Sequence, residues 1–410
     1  MTFKEVRLQD ILDIRWGDTK TTKAAYVPTG YVAYSAAGPD GFLEKFDYDR
    51  DGVVLSAIGA NCGSTFYAMG KWSCIKNTIR IFPKTADIDL KYFYYMTKAP
   101  NFWPLRGSAQ PFISQTDVRE TFVRVPAVAI QKVIGQILHE LEMMIEANKK
   151  ISQTLEDIAQ TIFKSWFIDF DPVKAKMAGE KPFGMDAATA VLFPESMEDS
   201  ELGLIPKGWV VGRLGDVFGL QGGYAFKSSS WAESGVPVVK IGSVKPGFVD
   251  LNQVSYVAEE LADTIPAAYK LEPGSLVVGL TGYVGQVGLV RTHKPHPLLN
   301  QRVARFIGVD GRWRIPFTYC LTRRSEFKKA VEAAANGSAQ QNVSNSQILA
   351  ISTVLPPQPL MNYFESVFES SFRQSIALAD ENENLAQLRD ALLPRLISGE
   401  LQIPEEMLVS

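Results

Sequence analysis

Apolar and polar residues follow two different rhythms along this chain. From Ile134 onward, Ile137, Leu141, Met144, Ile151, Leu155, Ile158 and Ile162 recur in steps of three and four, with the polar Asn148 in the same series. That spacing makes a heptad seam of about four repeats and predicts one long helix. The helix should end near Asp171-Pro172, because proline disfavours helix in the residue before it. A more broken series, Phe364, Val367, Leu378, Leu385, Leu388 and Leu392, predicts a second helix. A helix of roughly 40 residues spans about 60 Å. Each is too long to lie on one module and too amphipathic to stand alone, so the two are expected to pack as an antiparallel coiled coil separating two modules. Asn148 either fixes the register of that seam at some cost in stability or is a tolerated defect.

The other rhythm is short and β-like. Val53 to Ile58 follows Asp51-Gly52, and Asn77 to Phe82 follows a Gly/Trp/Cys stretch. Leu90 to Lys98 reads as a short helix rich in tyrosine. Later in the chain Val238 to Ile241, Ser275 to Leu280 and Arg302 to Ile307 read as strands, and Pro316 to Glu332 as a helix. The expected fold class is therefore α+β, with two similar modules carrying twisted sheets. The expected divisions are a first module at 1–126, a central helix at 127–171, a linker at 172–205, a second module at 206–356, and a C-terminal helix and tail at 357–410. Pro172, Pro182, Gly184, Pro194 and Pro206 punctuate the linker.

The two modules are copies. Gly107-Ser108-Ala109-Gln110 recurs as Gly337-Ser338-Ala339-Gln340, and the same offset of 230 carries Ser114 onto Ser344, Val118 onto Ile348 and Pro126 onto Pro356. It also carries Leu155 onto Leu385 and Ile162 onto Leu392. Upstream, Arg7 to Ile11 matches Arg213 to Val217, and Val54 to Ile58 matches Leu276 to Leu280, with drifting offsets. A period this long is a repeated domain with its helix, since solenoid repeats run roughly 20–50 residues.

The overall charge of −3 hides an opposition. The first module carries +3 and the second +6, whereas 127–205 and 357–410 carry −6 each. Basic modules on acidic connectors suit a polyanion that both modules touch. Part of the acidity reflects the helix preference of glutamate. Three cysteines (Cys62, Cys74, Cys320) show neither metal spacing nor an even count, and with three histidines a zinc site is not expected. His139-Glu140 begins like HExxH, but Met143 occupies the second histidine position. No phosphate-binding loop occurs, no cofactor is expected, and no catalytic activity is read in this chain. The absence of a long apolar run or leader gives the expectation of a cytoplasmic protein with no membrane contact.

Three stretches are distinctive: Phe163-Lys164-Ser165-Trp166-Phe167-Ile168-Asp169-Phe170-Asp171-Pro172 after the first helix, Leu392-Leu393-Pro394-Arg395-Leu396-Ile397-Ser398-Gly399-Glu400-Leu401 after the second, and Gly222-Gly223-Tyr224-Ala225-Phe226-Lys227-Ser228 in the second module. With the repeat, they resemble the specificity subunit of type I restriction–modification systems over almost the whole chain. The resemblance implies two target-recognition domains, each reading one half of a split, asymmetric site in double-stranded DNA. It also implies two methyltransferase (modification) subunits bound through the helices, with motor-nuclease (restriction) subunits able to join. The alternative is a stand-alone DNA-binding regulator or decoy without modification partners. Where the second module has its glycine–tyrosine stretch the first has Trp16-Gly17-Asp18-Thr19-Lys20, so the two modules should read different bases.

Base reading calls for Arg, Lys, Asn or Gln on loops that enter a groove, while hydroxyls and amides position phosphates. The Gly222 to Ser230 loop offers Tyr224, Lys227 and Ser228, or else is a surface turn with Tyr224 and Phe226 packed inward. Tyr283 and Gln286 stand in a glycine-flanked loop whose counterparts are Asn61 and Ser64. Asn300, Gln301 and Arg302 precede a strand, with Asn77, Thr78 and Arg80 as rough first-module equivalents. Gln110 and Gln340, in the shared Gly-Ser-Ala-Gln stretches, either contact phosphate or belong to a structural turn. Lys20, Lys23, Arg106, Lys240 and Lys245 are candidate phosphate partners. Lengthening both helices by four residues, about 6 Å, should widen the half-site spacing by one or two base pairs at about 3.4 Å each.

Overall fold

The structure, a computed structural model, describes residues 2–107, 110–252, 254–291, 295–309, 314–335 and 341–408. The chain divides into two compact units, Met1–Glu146 with Asn384–Ser410, and Ala147–Glu383.

In the first unit, β1 (Lys4–Arg7) runs into a one-turn α1 (Leu8–Ile11) and β2 (Leu12–Trp16). Then come β3 (Tyr31–Ser35), β4 (Gly38–Leu43), β5 (Tyr48–Asp49), β6 (Gly52–Ser56), β7 (Thr65–Ala68), β8 (Lys71–Cys74) and β9 (Thr78–Pro83). The helices α2 (Leu90–Met96) and α3 (Gln115–Glu120) precede β10 (Phe122–Val125), which pairs antiparallel with β1. Two four-stranded sheets form, in orders β2-β9-β6-β7 and β4-β3-β8-β5. β6 and β9 are central because Val53, Leu55, Ile79 and Ile81 are β-branched or bulky and fully buried. Behind them Tyr92 and Phe93 of α2 complete the core.

The helix α4 (Val128–Phe167) follows and carries the heptad seam. Its first turns bring Ile134 and Leu138 into the first core, where Leu396 of α11 (Gln358–Ser398) also sits, flanked by Leu392, Leu393, Ile397 and Leu401. Gly399 ends α11 with a φ of 79°. Glycine adopts such a left-handed turn without a Cβ clash. The Leu401 amide then donates to the Arg395 carbonyl at 2.9 Å.

The second unit contains the rest of both long helices, antiparallel as expected. Asn148 Nδ2 donates to Glu381 at 3.1 Å, and Trp166 stacks on Tyr363 with centroids 6.2 Å apart. The segment read as a linker is folded. Phe170 takes a left-handed φ of 56°, and the chain re-enters helix at α5 (Asp171–Met177). Pro172 lies in its first turn, where proline is tolerated. A short α6 (Ala187–Ala190) and a hairpin of β11 (Met197–Ser200) and β12 (Gly203–Pro206) follow, and Val173, Phe193 and Ile205 are buried.

Next come β13 (Val210–Arg213), β14 (Gly219–Gly222), β15 (Val236–Val239), β16 (Val244–Lys245), β17 (Gly247–Val249), β18 (Ser255–Val257), α7 (Glu259–Thr264), β19 (Leu276–Gly279), β20 (Val287–Leu289), β21 (Leu298–Leu299) and β22 (Val303–Ile307). A six-stranded sheet runs β14-β22-β19-β20-β17-β16, beside a three-stranded one, β18-β15-β21. The helix expected at 316–332 is two, α8 (Ile315–Arg323) and α9 (Ser325–Ala334), because Arg324 is extended at φ −70° and ψ 148°. Finally α10 (Asn345–Leu349) leads into β23 (Ser352–Leu355), paired with β13 as β10 is with β1.

Candidate nucleic-acid interface

The duplication extends to individual backbone hydrogen bonds. In the first module the Ala57 amide donates to Asn77 O at 3.0 Å, and the Ile113 amide donates to Ala57 O at 2.8 Å. In the second, Leu280 donates to Arg302 O and Val343 to Leu280 O, both at 2.9 Å. Gly59 to Pro111 is matched by Gly282 to Gln341, and Ser56 to Ser64 by Gly279 to Gln286. Isolated parallel bridges join Asp18 to Ile75 and Tyr224 to Asn300. Each module thus presents one equivalent cluster: the loop after β6 or β19, the turn before β9 or β22, and the segment leading to α3 or α10.

In the first module this cluster borders a groove of about 310 Å³ lined by Thr22, Lys23, Ser35, Asn61, Lys76 and Asn77, among others. Lys23 forms an ion pair with Asp40, which also accepts from Tyr26 Oη at 2.9 Å and Ser35 Oγ at 2.8 Å. Partial burial pushes the Asp40 carboxyl up, but Lys23, Ser35 and Tyr26 together hold it below its ordinary value. Lys20 is exposed, and its amide donates to Asp18 at 2.9 Å. Asn77 adopts a left-handed φ of 71°. Asparagine tolerates that conformation better than most residues. Arg106 is exposed but paired with Asp117, and Gln110 is exposed.

Two first-module expectations are corrected. Thr78 is fully buried and its hydroxyl donates to Ile75 O at 2.6 Å. Arg80 is 7% exposed, donates to Asp13 at 2.7 Å and lies over the rings of Phe82 and Tyr48. Neither side chain is free to meet a base. The bridges also correct the alignment: Ile75 corresponds to Asn300, so Lys76 and Asn77 are the counterparts of Gln301 and Arg302.

In the second module Lys227 and Ser228 are exposed, Lys245 is exposed on β16, and Tyr283 is 66% exposed beside a half-buried Gln286. Gln301 and Arg302 are exposed. Three candidates here make contacts within the fold. Tyr224 packs inward against Phe226 and Tyr269, with centroids 5.0 and 5.4 Å away. The Lys240 ammonium lies 3.4 Å from the Trp231 ring centroid and donates to Ser255 Oγ at 2.7 Å. Loss of hydration there lowers its pKa. Asn300 is 7% exposed; it accepts from the Arg302 amide at 3.2 Å and shapes the turn rather than facing outward. Gln340 lies outside the described residues.

Sequence reading missed Lys76, although it stands next to Asn77 at the tip of the same turn. The signal was the two-residue spacing between bridge and strand, hidden by an alignment two residues out of step. Among the described residues, no group of three or more His, Cys, Asp or Glu side chains could hold a metal ion. No helix among them is long and apolar enough to cross a membrane.

Fold and tips together define a duplicated, basic α+β module whose two copies share a backbone and differ in their outward side chains. A family model for the type I restriction modification DNA specificity domain matches residues 1–157 and again 206–359, and the chain belongs to that family. It is 27% identical to the type I restriction enzyme HindI specificity subunit of Haemophilus influenzae, over 72% of each chain. To the MjaIX specificity subunit of Methanocaldococcus jannaschii it is 26% identical, over 86% of this chain and 78% of the relative. A crystal structure of a type I restriction-modification system S subunit from M. genitalium has a similar fold, with a TM-score of 0.65 at 17% identity over 96% of both chains.

Proposed function

We propose that this chain is the DNA sequence-recognition subunit of a type I restriction–modification complex. Each module reads one half of a bipartite, asymmetric site in double-stranded DNA, and the paired helices set the spacing between the halves. Two methyltransferase subunits bind along the helices, and motor-nuclease subunits join where the system also restricts. In this reading the chain positions the methyltransferase and performs no chemistry of its own.

The observation that carries this proposal is the pairing of equivalent backbone scaffolds with different exposed tips, Lys76-Asn77 in one module and Gln301-Arg302 in the other. A homodimeric reader of a palindrome would carry identical tips. Basic charge on both modules supports attraction to phosphates. The second unit holds an apolar groove of about 520 Å³, walled by Phe163, Phe167, Phe170, Leu204 and Phe327. Such a groove supports a protein partner for the helices and the segment that follows the first.

The test is methyl transfer into DNA from an unmodified host by the methyltransferase encoded beside this chain, purified with and without it. Co-purification and methyl incorporation that requires this chain are expected. A methyltransferase that labels DNA equally well alone, or that does not associate with the chain, would move the reading to the stand-alone regulator or decoy.

A further inference from the structure

The turn before β9 and its counterpart before β22 occupy the same backbone position in the two modules. Each follows an isolated parallel bridge, Asp18 with Ile75 or Tyr224 with Asn300, and two residues separate that bridge from the strand. The second residue of each turn accepts an equivalent amide, Ala57 to Asn77 at 3.0 Å and Leu280 to Arg302 at 2.9 Å. Such fixed carbonyls hold the turn in place whatever side chain it bears.

The side chains are free to differ, and they do. Lys76, Gln301 and Arg302 are exposed and Asn77 is half-exposed. Their neighbours are committed to the fold: Thr78 to a carbonyl, Arg80 to Asp13, Asn300 to the turn itself and Lys240 to Trp231. Asn300 donates to Gln301 Oε1 only at 3.5 Å. So long a bond leaves that amide open to a stronger partner. Arginine pairs in bidentate fashion with guanine O6 and N7, and asparagine with adenine N6 and N7.

Resting on the specificity-subunit reading, we infer that these two turns are the base-reading positions that distinguish the modules, Arg302 reading a guanine in one half-site and Asn77 an adenine in the other. A change in either residue alters one base position in one half and leaves the spacing and the other half untouched.

The experiment uses the full chain assembled with its methyltransferase. Fluorescence anisotropy measures binding to duplexes carrying the parental site and every single base-pair replacement in each half. The variants are Arg302→Ala and Asn77→Gly, the latter keeping the left-handed backbone. Arg302→Ala should lose roughly 10- to 100-fold of discrimination at one G·C pair, the range of a good bidentate contact. Asn77→Gly should lose it at one A·T pair of the other half. If Arg302→Ala binds no duplex, Arg302→Lys carries the same test, because it keeps the charge without the planar fork. Unchanged discrimination at every position, or loss spread over both halves, overturns the inference. A wild-type complex that discriminates at neither half overturns the specificity-subunit reading instead.

Discussion

At the first module's sheet, the Arg80 guanidinium donates to Asp13 at 2.7 Å and spans two aromatic rings, so it behaves as core. Arg80→Ala should cost about 2 kcal/mol in urea unfolding, the loss of a charge-assisted hydrogen bond at a largely buried site. Base discrimination should be unchanged wherever the variant remains folded, the opposite of Arg302→Ala. Sequence gives both arginines the same status, because whether a β-strand side chain faces core or solvent depends on sheet register. Glu365 on α11 is a second residue whose behaviour depends on burial. Burial pushes its carboxyl up to about 7; the Phe317 amide, donating at 2.7 Å, and Arg314 oppose that rise. Desolvation disfavours the charged form, and the opposing partners favour it. The folded pKa lies above the unfolded one, so the folded protein holds this proton more tightly. Stability therefore falls as pH rises from about 4.5 to about 7. The loss is about 3 kcal/mol at most, at about 1.36 kcal/mol per pH unit. Glu365→Gln keeps an acceptor for Phe317 and should flatten Tm against pH over that window; a wild-type Tm that rises through the window would contradict the assignment.

The strongest element-level signal in the sequence was the constant offset from Ser114 to Ser344, and the structure gives its cause. Both serines are N-caps in reciprocal capping boxes. Ser114 accepts from the Asp117 amide at 3.1 Å and Ser344 from the Gln347 amide at 3.2 Å. In return their own amides donate to Asp117 at 3.0 Å and Gln347 at 2.8 Å. Ser114→Ala and Ser344→Ala should each cost about 1 kcal/mol by chemical denaturation; a cost in only one of them would mean that the copies do not share the device. The long helices were also legible, because a heptad seam depends on local spacing alone. The fold of 172–205 was not. Val173, Phe193 and Ile205 are isolated apolar residues among glycines, prolines and acids, with no period to mark them, and only tertiary packing buries them. The break at Arg324 was hidden as well, since nothing in Thr322-Arg323-Arg324-Ser325 stops a helix by propensity. The recognition turns were half legible: their residue types stood out, but short strands let the alignment slip by two.

Over the whole molecule, chain order and compact units differ, because the end of α11 and the segment after it pack on the first module's core. Only long-range contacts carry that information. The charge division was legible from composition and predicts strongly salt-dependent DNA binding. Lys20→Ala and Lys245→Ala should each reduce the slope of log affinity against log salt by about 1 and leave base discrimination intact. An unchanged slope would place those lysines away from the phosphates. Two different modules reading two halves of one site would mark the genome accordingly, so the decisive experiment maps modified bases in cells with and without this chain. Methylation is expected at a single motif of two unlike halves with a fixed gap, present only with the chain. A continuous or palindromic motif, or a map that is the same in both cells, would contradict it.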